Sequence, residues 1–171
     1  RTMSKALIIL AHSGYQDIEY AGTREGLENA GNEIVIGAVD TGTCTGSLGG
    51  NEEATVALRD VKVTDYSHIA YIGGPGAVLL ATDPDALKIA NEAYRKEIPL
   101  GAICIAPTIL AKAQVLEGKR ATVWNGDGAQ QEVLETYGAE FTGEAVTIDG
   151  KIVTGNGPDA AIEFGKMLAA L

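Results

Sequence analysis

Two side chains have the type and setting for covalent chemistry, Cys104 and Glu19. Cys104 ends an apolar run, Pro99-Leu100-Gly101-Ala102-Ile103, and is followed by Ile105-Ala106-Pro107-Thr108-Ile109-Leu110-Ala111. The first run is strand-like. The second reads as a helix opened by Pro107, whose fixed φ suits a first turn and whose missing N–H is not needed there. A side chain on such a strand-to-helix turn is pushed toward solvent, the geometry by which serine hydrolases present a nucleophile. The helix N-terminus behind it adds free N–H groups and partial positive charge, which favour a thiolate. A lone cysteine is commonly inert core filling; the strand–Cys–helix setting singles out Cys104. Cys44, in Thr43-Cys44-Thr45, lacks that setting and reads as structural, near an edge or interface.

Glu19 stands two residues after Asp17, one turn into a predicted helix. Favourable charge at a helix N-terminus accounts for Asp17. Glu19, followed by Tyr20 and Ala21, is expected on the inward side. A carboxyl beside a cysteine sulfur can donate to a thiolate or accept from a thiol, and can serve as general acid and base. The segment Gly73-Gly74-Pro75-Gly76 ends another strand. It needs positive φ for its turn, and its N–H groups, with that of Ile105, could form an oxyanion hole. A phosphate loop is disfavoured, since no Gly-Lys-Ser/Thr follows, and its spacing is not that of a dinucleotide fingerprint. His12, Trp124, Gly73 and Pro75 are expected around the same cleft as pocket residues. His68 starts a strand and reads as structural.

These groups need a scaffold that brings them together. Ala6–Ala11 is a continuous apolar run, as for a strand covered on both faces. Residues 17–30 read as a helix ended by Gly31, Glu33–Val39 as a strand, and residues 41–58 as a hairpin-like region. Then follow a strand at Ile69–Ile72, a helix at Pro84–Lys96, a strand at Ile98–Ile103, the Cys104 helix, and a strand at Arg120–Trp124. The chain closes with a helix from about Ala129 to Tyr137, a hairpin at Val146–Thr154 with an Asp-Gly turn, and a helix opened by Gly157-Pro158. Strands alternating with helices predict an α/β fold: one three-layer α/β/α sandwich, flavodoxin-like, with a mostly parallel central sheet and a small β-hairpin. In such a sheet ligands bind at the carboxyl ends of the strands. There Cys104, the glycine segment and the loop His12–Glu19 should meet.

Composition narrows the functions. The 171 residues suit one domain, expected over residues 3–171, with Arg1 and Thr2 an expression remnant ahead of a native Met3. The net charge of -10, with no basic cluster, argues against nucleic acid or an anionic membrane as partner. Two cysteines make no disulfide scaffold and suit a reducing compartment. Two histidines without a CxxC or HExxH pattern give no metal signature. The N-terminus enters a strand directly and no run is long enough to span a bilayer, so the expected location is the cytoplasm.

Taken in order, these segments resemble the DJ-1/ThiJ/PfpI superfamily, whose fold is like that of class I glutamine amidotransferases. The likeness runs from Lys5–Ala11 through Asp17-Ile18-Glu19, Gly73–Gly76 and Ala102–Pro107 to Gly118–Val123 and Thr154–Ala160. It implies that Cys104 matches the reactive cysteine, Glu19 the glutamate at its sulfur, and Gly74 and Ile105 the oxyanion-hole amides. It also implies a homodimer or higher homo-oligomer without a cofactor. The chain departs from the pattern in its histidines. PfpI-type peptidases carry one directly after the cysteine, where this chain has Ile105. The DJ-1 branch carries one in the strand after the cysteine helix, where this chain has Trp124. No acid near Ala77–Asp83 matches the one that a neighbouring subunit lends in the peptidases. A Cys–His dyad therefore depends on His12. The expected function is a cysteine-dependent enzyme on small reactive carbonyls, of glyoxalase or deglycase type. The alternatives are a redox-sensing or stress-protective protein with an oxidisable cysteine, and an intracellular PfpI-type peptidase, which Ile105 disfavours.

Overall fold

The computed structural model describes residues 3–171; Arg1 and Thr2, read above as a remnant, lie outside the described residues. The chain begins with β1 (Ser4–Ile9), β2 (Ser13–Tyr15), α1 (Asp17–Asn29) and β3 (Asn32–Ala38), followed by β4 (Gly42–Gly46), β5 (Asn51–Ala54) and β6 (Val56–Ala57). Next come β7 (His68–Tyr71), a 3-10 segment Pro75–Thr82, α2 (Pro84–Arg95), β8 (Leu100–Ile103) and α3 (Pro107–Lys112). The last part holds β9 (Arg120–Ala121), α4 (Ala129–Thr136), β10 (Glu140–Phe141), β11 (Val146–Asp149), β12 (Ile152–Gly155) and α5 (Ala161–Ala169).

The seven-stranded sheet has the order β11-β12-β8-β7-β1-β3-β6. Every neighbouring pair in it is parallel except β11 with β12. Side chains alternate across the pleat, so β1 feeds two cores. Leu7 and Ile9 pack with Ile69, Tyr71, Ile89 and Ile109 under α2 and α3. Ala6, Ile8 and Leu10 pack with Leu27, Ile72, Ile103 and Phe164 under α1 and α5. This is the three-layer sandwich expected from the alternating elements. The helices α1 and α5 meet at glycines: a Cβ on Gly26 would overlap the backbone of Gly165, so both positions must stay bare. That close contact fixes α1, and with it Glu19, against the sheet.

Several element boundaries differ from the sequence reading. The strand expected over Arg120–Trp124 is only Arg120–Ala121, paired with β10 in a separate two-stranded sheet. Trp124 instead hangs from Cys104, its N–H donating to the Cys104 carbonyl at 2.8 Å. The strand before Cys104 starts at Leu100 rather than Ile98, because Glu97 takes positive φ and turns the chain. Residues 75–82, for which the sequence predicts no element, form 3-10 turns begun by Pro75. The hairpin in residues 41–58 is β4–β5, which joins β2 in a small sheet of its own. At the β11–β12 hairpin, Gly150 and Lys151 make the turn, with positive φ at Gly150. Among the described residues no helix is long and apolar enough to cross a membrane.

Candidate active site at the carboxyl edge of the sheet

The strand order reverses at β1, whose two neighbours β3 and β7 lie further along the chain on opposite sides. Such a switch point leaves a crevice beyond the strand ends. The loops after β1, β7, β8 and β12 all open there. They enclose a cavity of about 470 Å³ lined by Gln16, Ser47, Gly74, Pro75, Cys104, Ile105, Trp124 and Pro158.

Cys104 has φ of 66°, in the left-handed region that costs a non-glycine residue about 1–2 kcal/mol. Two backbone hydrogen bonds hold it there. Its N–H donates to Gly155 at 2.9 Å and its carbonyl accepts from Trp124. Pro107 opens α3 as expected. That helix has only six residues, so its dipole is modest, and individual N–H groups matter more. The amides of Gly74 and Ile105 favour the thiolate, pulling the Cys104 thiol down.

Glu19 is completely buried on α1. Gln16 caps this helix, its Oε1 accepting from the Glu19 N–H at 2.9 Å, and its own N–H donates to Gly73 at 2.9 Å. The glycine segment and the start of α1 are thus one unit. Glu19 Oε1 accepts from the Gly73 N–H at 3.0 Å. Oε2 is buried with no hydrogen-bond partner of good geometry, and the Cys104 thiol lies against this carboxyl. Burial pushes the Glu19 carboxyl up to about 7, although contact with the thiol and with Gly73 opposes the rise. The Cys104 thiol is pushed up to about 12 by burial and by the ionised Glu19 beside it, against the pull of the two amides. The two groups therefore titrate as a pair that shares protons. When Glu19 holds its proton, its repulsion of a thiolate vanishes and its O–H can donate to sulfur. An orphaned buried oxygen beside a thiol is a place for that proton.

Gly73 does not line the cavity. It lies behind the cysteine, where a Cβ would stand 2.5 Å from Cys104 Cβ and 2.7 Å from Glu19 Oε1. The close approach of thiol and carboxyl requires a bare backbone there. Gly74, Pro75, Ile105 and Trp124 do reach the cavity. His12 does not. Its Nε2 accepts from Asp40 N–H at 3.3 Å, so Nδ1 carries the proton and faces Thr43 O at 3.4 Å and Cys44 Sγ at 3.8 Å. β2 turns the chain after His12 toward the β4–β5 hairpin, away from Cys104. His68 begins β7, at the end opposite Gly73, and contacts Ser67. Neither histidine lines the Cys104 cavity. Cys44 is buried in β4 beside His12.

Sequence reasoning passed over Gln16 as a cap, and over Ser47 and Pro158. Gln16 carried a local signal, an amide just before an acidic helix start. Pro158 could have been placed by its position after β12. Ser47 had no local signal; it arrives through Asp17. The Asp17 carboxylate accepts from Leu48 N–H at 2.9 Å and Gly50 N–H at 2.7 Å, which anchors the hairpin tip at the cleft. That is a larger role than the helix-end charge first given to it. Among the described residues no group of three or more His, Cys, Asp or Glu side chains could hold a metal ion.

Comparison with known proteins matches this geometry to a family. An uncharacterized protein of Methanocaldococcus jannaschii is 31% identical over 163 residues, 95% of this chain and 79% of that protein. An uncharacterized protein of Staphylococcus aureus is 31% identical over 168 residues, 96% of each. The crystal structure of a ThiJ/PfpI domain protein from Brachyspira murdochii superposes with a TM-score of 0.91 at 23% identity, covering 99% of this chain and 96% of that one. Toxoplasma gondii DJ-1, solved in an oxidized form, gives 0.80 at 27% identity, covering 98% and 94%. The DJ-1/PfpI family model matches residues 4–171, essentially the whole described fold with Cys104 and Glu19 inside it, and the chain belongs to the DJ-1/PfpI family.

Proposed function

We propose that this protein is a cysteine-dependent enzyme acting on small reactive carbonyl compounds, of the glyoxalase or deglycase type. The observation that carries the reading is the shared-proton pair: a buried carboxyl raised to about 7 against a half-buried thiol that two amides face. A group titrating near the working pH is suited to both giving and taking a proton.

With methylglyoxal the steps balance as follows. The Cys104 thiolate adds to the aldehyde carbon, and the new alkoxide takes the Glu19 proton, giving a hemithioacetal. The Glu19 carboxylate then removes the hydrogen from that carbon. Negative charge moves to the ketone oxygen, where Gly74 and Ile105 N–H groups can receive it. Glu19 returns the proton to the neighbouring carbon while the hydroxyl proton passes to the former ketone oxygen. This leaves a lactoyl thioester, which water cleaves to lactate and free Cys104. The test is lactate formation from methylglyoxal by wild type, Cys104→Ser and Glu19→Gln. Turnover that survives Cys104→Ser would sink the proposal.

A second reading is a redox-sensing or stress-protective role. Supporting it are the absence of histidine from the cavity and the oxidized form in which the Toxoplasma DJ-1 was solved. Two equivalents of hydrogen peroxide would convert the thiolate to a sulfinate with release of two waters. Protonated Glu19 and the two amides would then donate to the sulfinate oxygens. Mass spectrometry after peroxide treatment should find two added oxygens on Cys104 and none on buried Cys44. Peptidase activity has less support, because Ile105 directly follows Cys104 where the PfpI-type peptidases carry a histidine. A homodimer, in which a second copy completes the rim of the cleft, is proposed as well; a monomer in sedimentation at micromolar concentration would remove it.

A further inference from the structure

The cap of α1 is an uncommon residue for that position. Asn, Asp and Ser cap helices best, because their short side chains reach the first-turn N–H groups directly. Gln16 caps with a longer one, its Oε1 accepting from the Glu19 N–H at 2.9 Å. A cap needs only an acceptor. The backbone N–H requires the amide oxygen, so the other atom of the carboxamide is its –NH2. Nε2 makes no hydrogen bond among the described residues, and the half-buried Gln16 lines the cysteine cavity. Its main chain is fixed beside the glycine segment. The Gln16 N–H donates to Gly73 at 2.9 Å, and a Cβ on Gly74 would stand 2.6 Å from the same nitrogen. Gly74 in turn supplies one of the two amides that act on the Cys104 thiol. No Lys, Arg or His side chain lines the cavity. Apart from the thiol, its side-chain donors are neutral ones on Gln16, Ser47 and Trp124. Ser47 is exposed at the hairpin tip, with a hydroxyl free to rotate. Trp124 hangs from the Cys104 carbonyl. Gln16 alone is held at both ends, by its N–H and by its Oε1.

We propose that the Gln16 carboxamide binds substrate, and that it makes the site select vicinal dicarbonyl compounds over simple aldehydes. Cys104 attacks one carbonyl carbon. Nε2 donates to the oxygen of the neighbouring carbonyl, alongside the Gly74 N–H. A simple aldehyde has no such oxygen to offer. The donor is in place before the substrate arrives, and its bond strengthens as that oxygen takes up negative charge. The cap bond to Glu19 also ties this donor to the helix that carries the acid–base carboxyl. The inference rests on Cys104 being the nucleophile of the proposed function.

Its test does not need turnover. Biacetyl has two adjacent carbonyls and no hydrogen on either, so it can add to Cys104 as a hemithioketal and go no further. Propanal has a single carbonyl. Each should slow the alkylation of Cys104 by iodoacetamide, timed by mass spectrometry on the full-length protein. The concentration that halves the rate measures its binding. The ratio of the propanal value to the biacetyl value cancels any change in the thiol itself. Gln16→Ser keeps a good helix cap and removes the carboxamide. Gln16→Glu keeps the length and the capping oxygen, and puts an acceptor where the –NH2 stood. Gln16→Ser should lower the ratio about fivefold, the worth of one hydrogen bond between neutral partners. Gln16→Glu should lower it further, since a carboxylate repels the same oxygen. A ratio within about twofold of wild type in either variant overturns the proposal. So does a lack of protection by biacetyl in wild type. A ratio that falls in both variants of a protein that makes no lactate from methylglyoxal upholds the role of Gln16 and sinks the proposed reaction. Lactate formation with an unchanged ratio does the reverse.

Discussion

Replacing Glu19 with glutamine should change how stability depends on pH. In the folded protein Glu19 is fully buried and its carboxyl is raised from 4.5 to about 7. In the unfolded chain it ionises near 4.5. Below that value both states hold the proton and the residue adds no pH dependence. Between 4.5 and about 7 the unfolded chain releases the proton while the folded one keeps it, so stability falls as pH rises. Above about 7 the loss is complete. The gap corresponds to about 3 kcal/mol. The Cys104 thiol does not confuse this window in wild type, because burial, joined by Glu19 once it ionises, pushes it up to about 12. Glutamine is neutral throughout, and its Oε1 can still accept from Gly73 N–H. Urea unfolding of both proteins at intervals from pH 4 to 8 measures the effect. Relative to Glu19→Gln, wild type should lose about 3 kcal/mol across that range, most of it between pH 5 and 7. Parallel curves, within about 0.5 kcal/mol, would mean that Glu19 titrates as an ordinary carboxyl. The shared-proton pair with Cys104 would then be wrong, and the acid–base role with it.

Three further outcomes follow from single contacts. Cys104→Gly should be more stable than Cys104→Ala by about 1 kcal/mol in urea unfolding, because glycine accepts the left-handed φ that alanine resists; equal stabilities would contradict the strained turn. Gly73→Ala should cost about 1–3 kcal/mol and change the iodoacetamide alkylation rate of Cys104, since the added methyl meets Cys104 Cβ and Glu19 Oε1; an unchanged rate would show that thiol and carboxyl are less closely set. Asp17→Ala should cost about 1–3 kcal/mol and speed hydrogen exchange at the Leu48 and Gly50 amides; unaltered exchange there would mean the hairpin tip is held by other bonds.

Much of this protein is legible in its residue order. Continuous apolar runs such as Ala6–Ala11 and Leu100–Ile103 read as strands covered on both faces, and the helical periods between them point to a layered α/β sheet. Pro107 after Cys104 marked a strand-to-helix turn, and the positive φ at Cys104 is its consequence. Glycine and proline carry such information because their backbone limits are local. The side-chain neighbourhoods of the site were not legible in the same way. Nothing near His12 in sequence says that β2 turns it toward Cys44 and away from Cys104. Nothing near Ser47 says that Asp17, thirty positions earlier, draws its hairpin to the cleft. Trp124 reaches the cavity through a hydrogen bond to the cysteine's own carbonyl, not by ending a strand. Strand pairing sets these meetings, and pairing joins residues far apart in the chain. The raised carboxyl of Glu19 belongs to the same class. Its chemistry is that of any glutamate until the packing of α1 on the sheet strips away water, leaves one oxygen without a partner and sets a thiol against it.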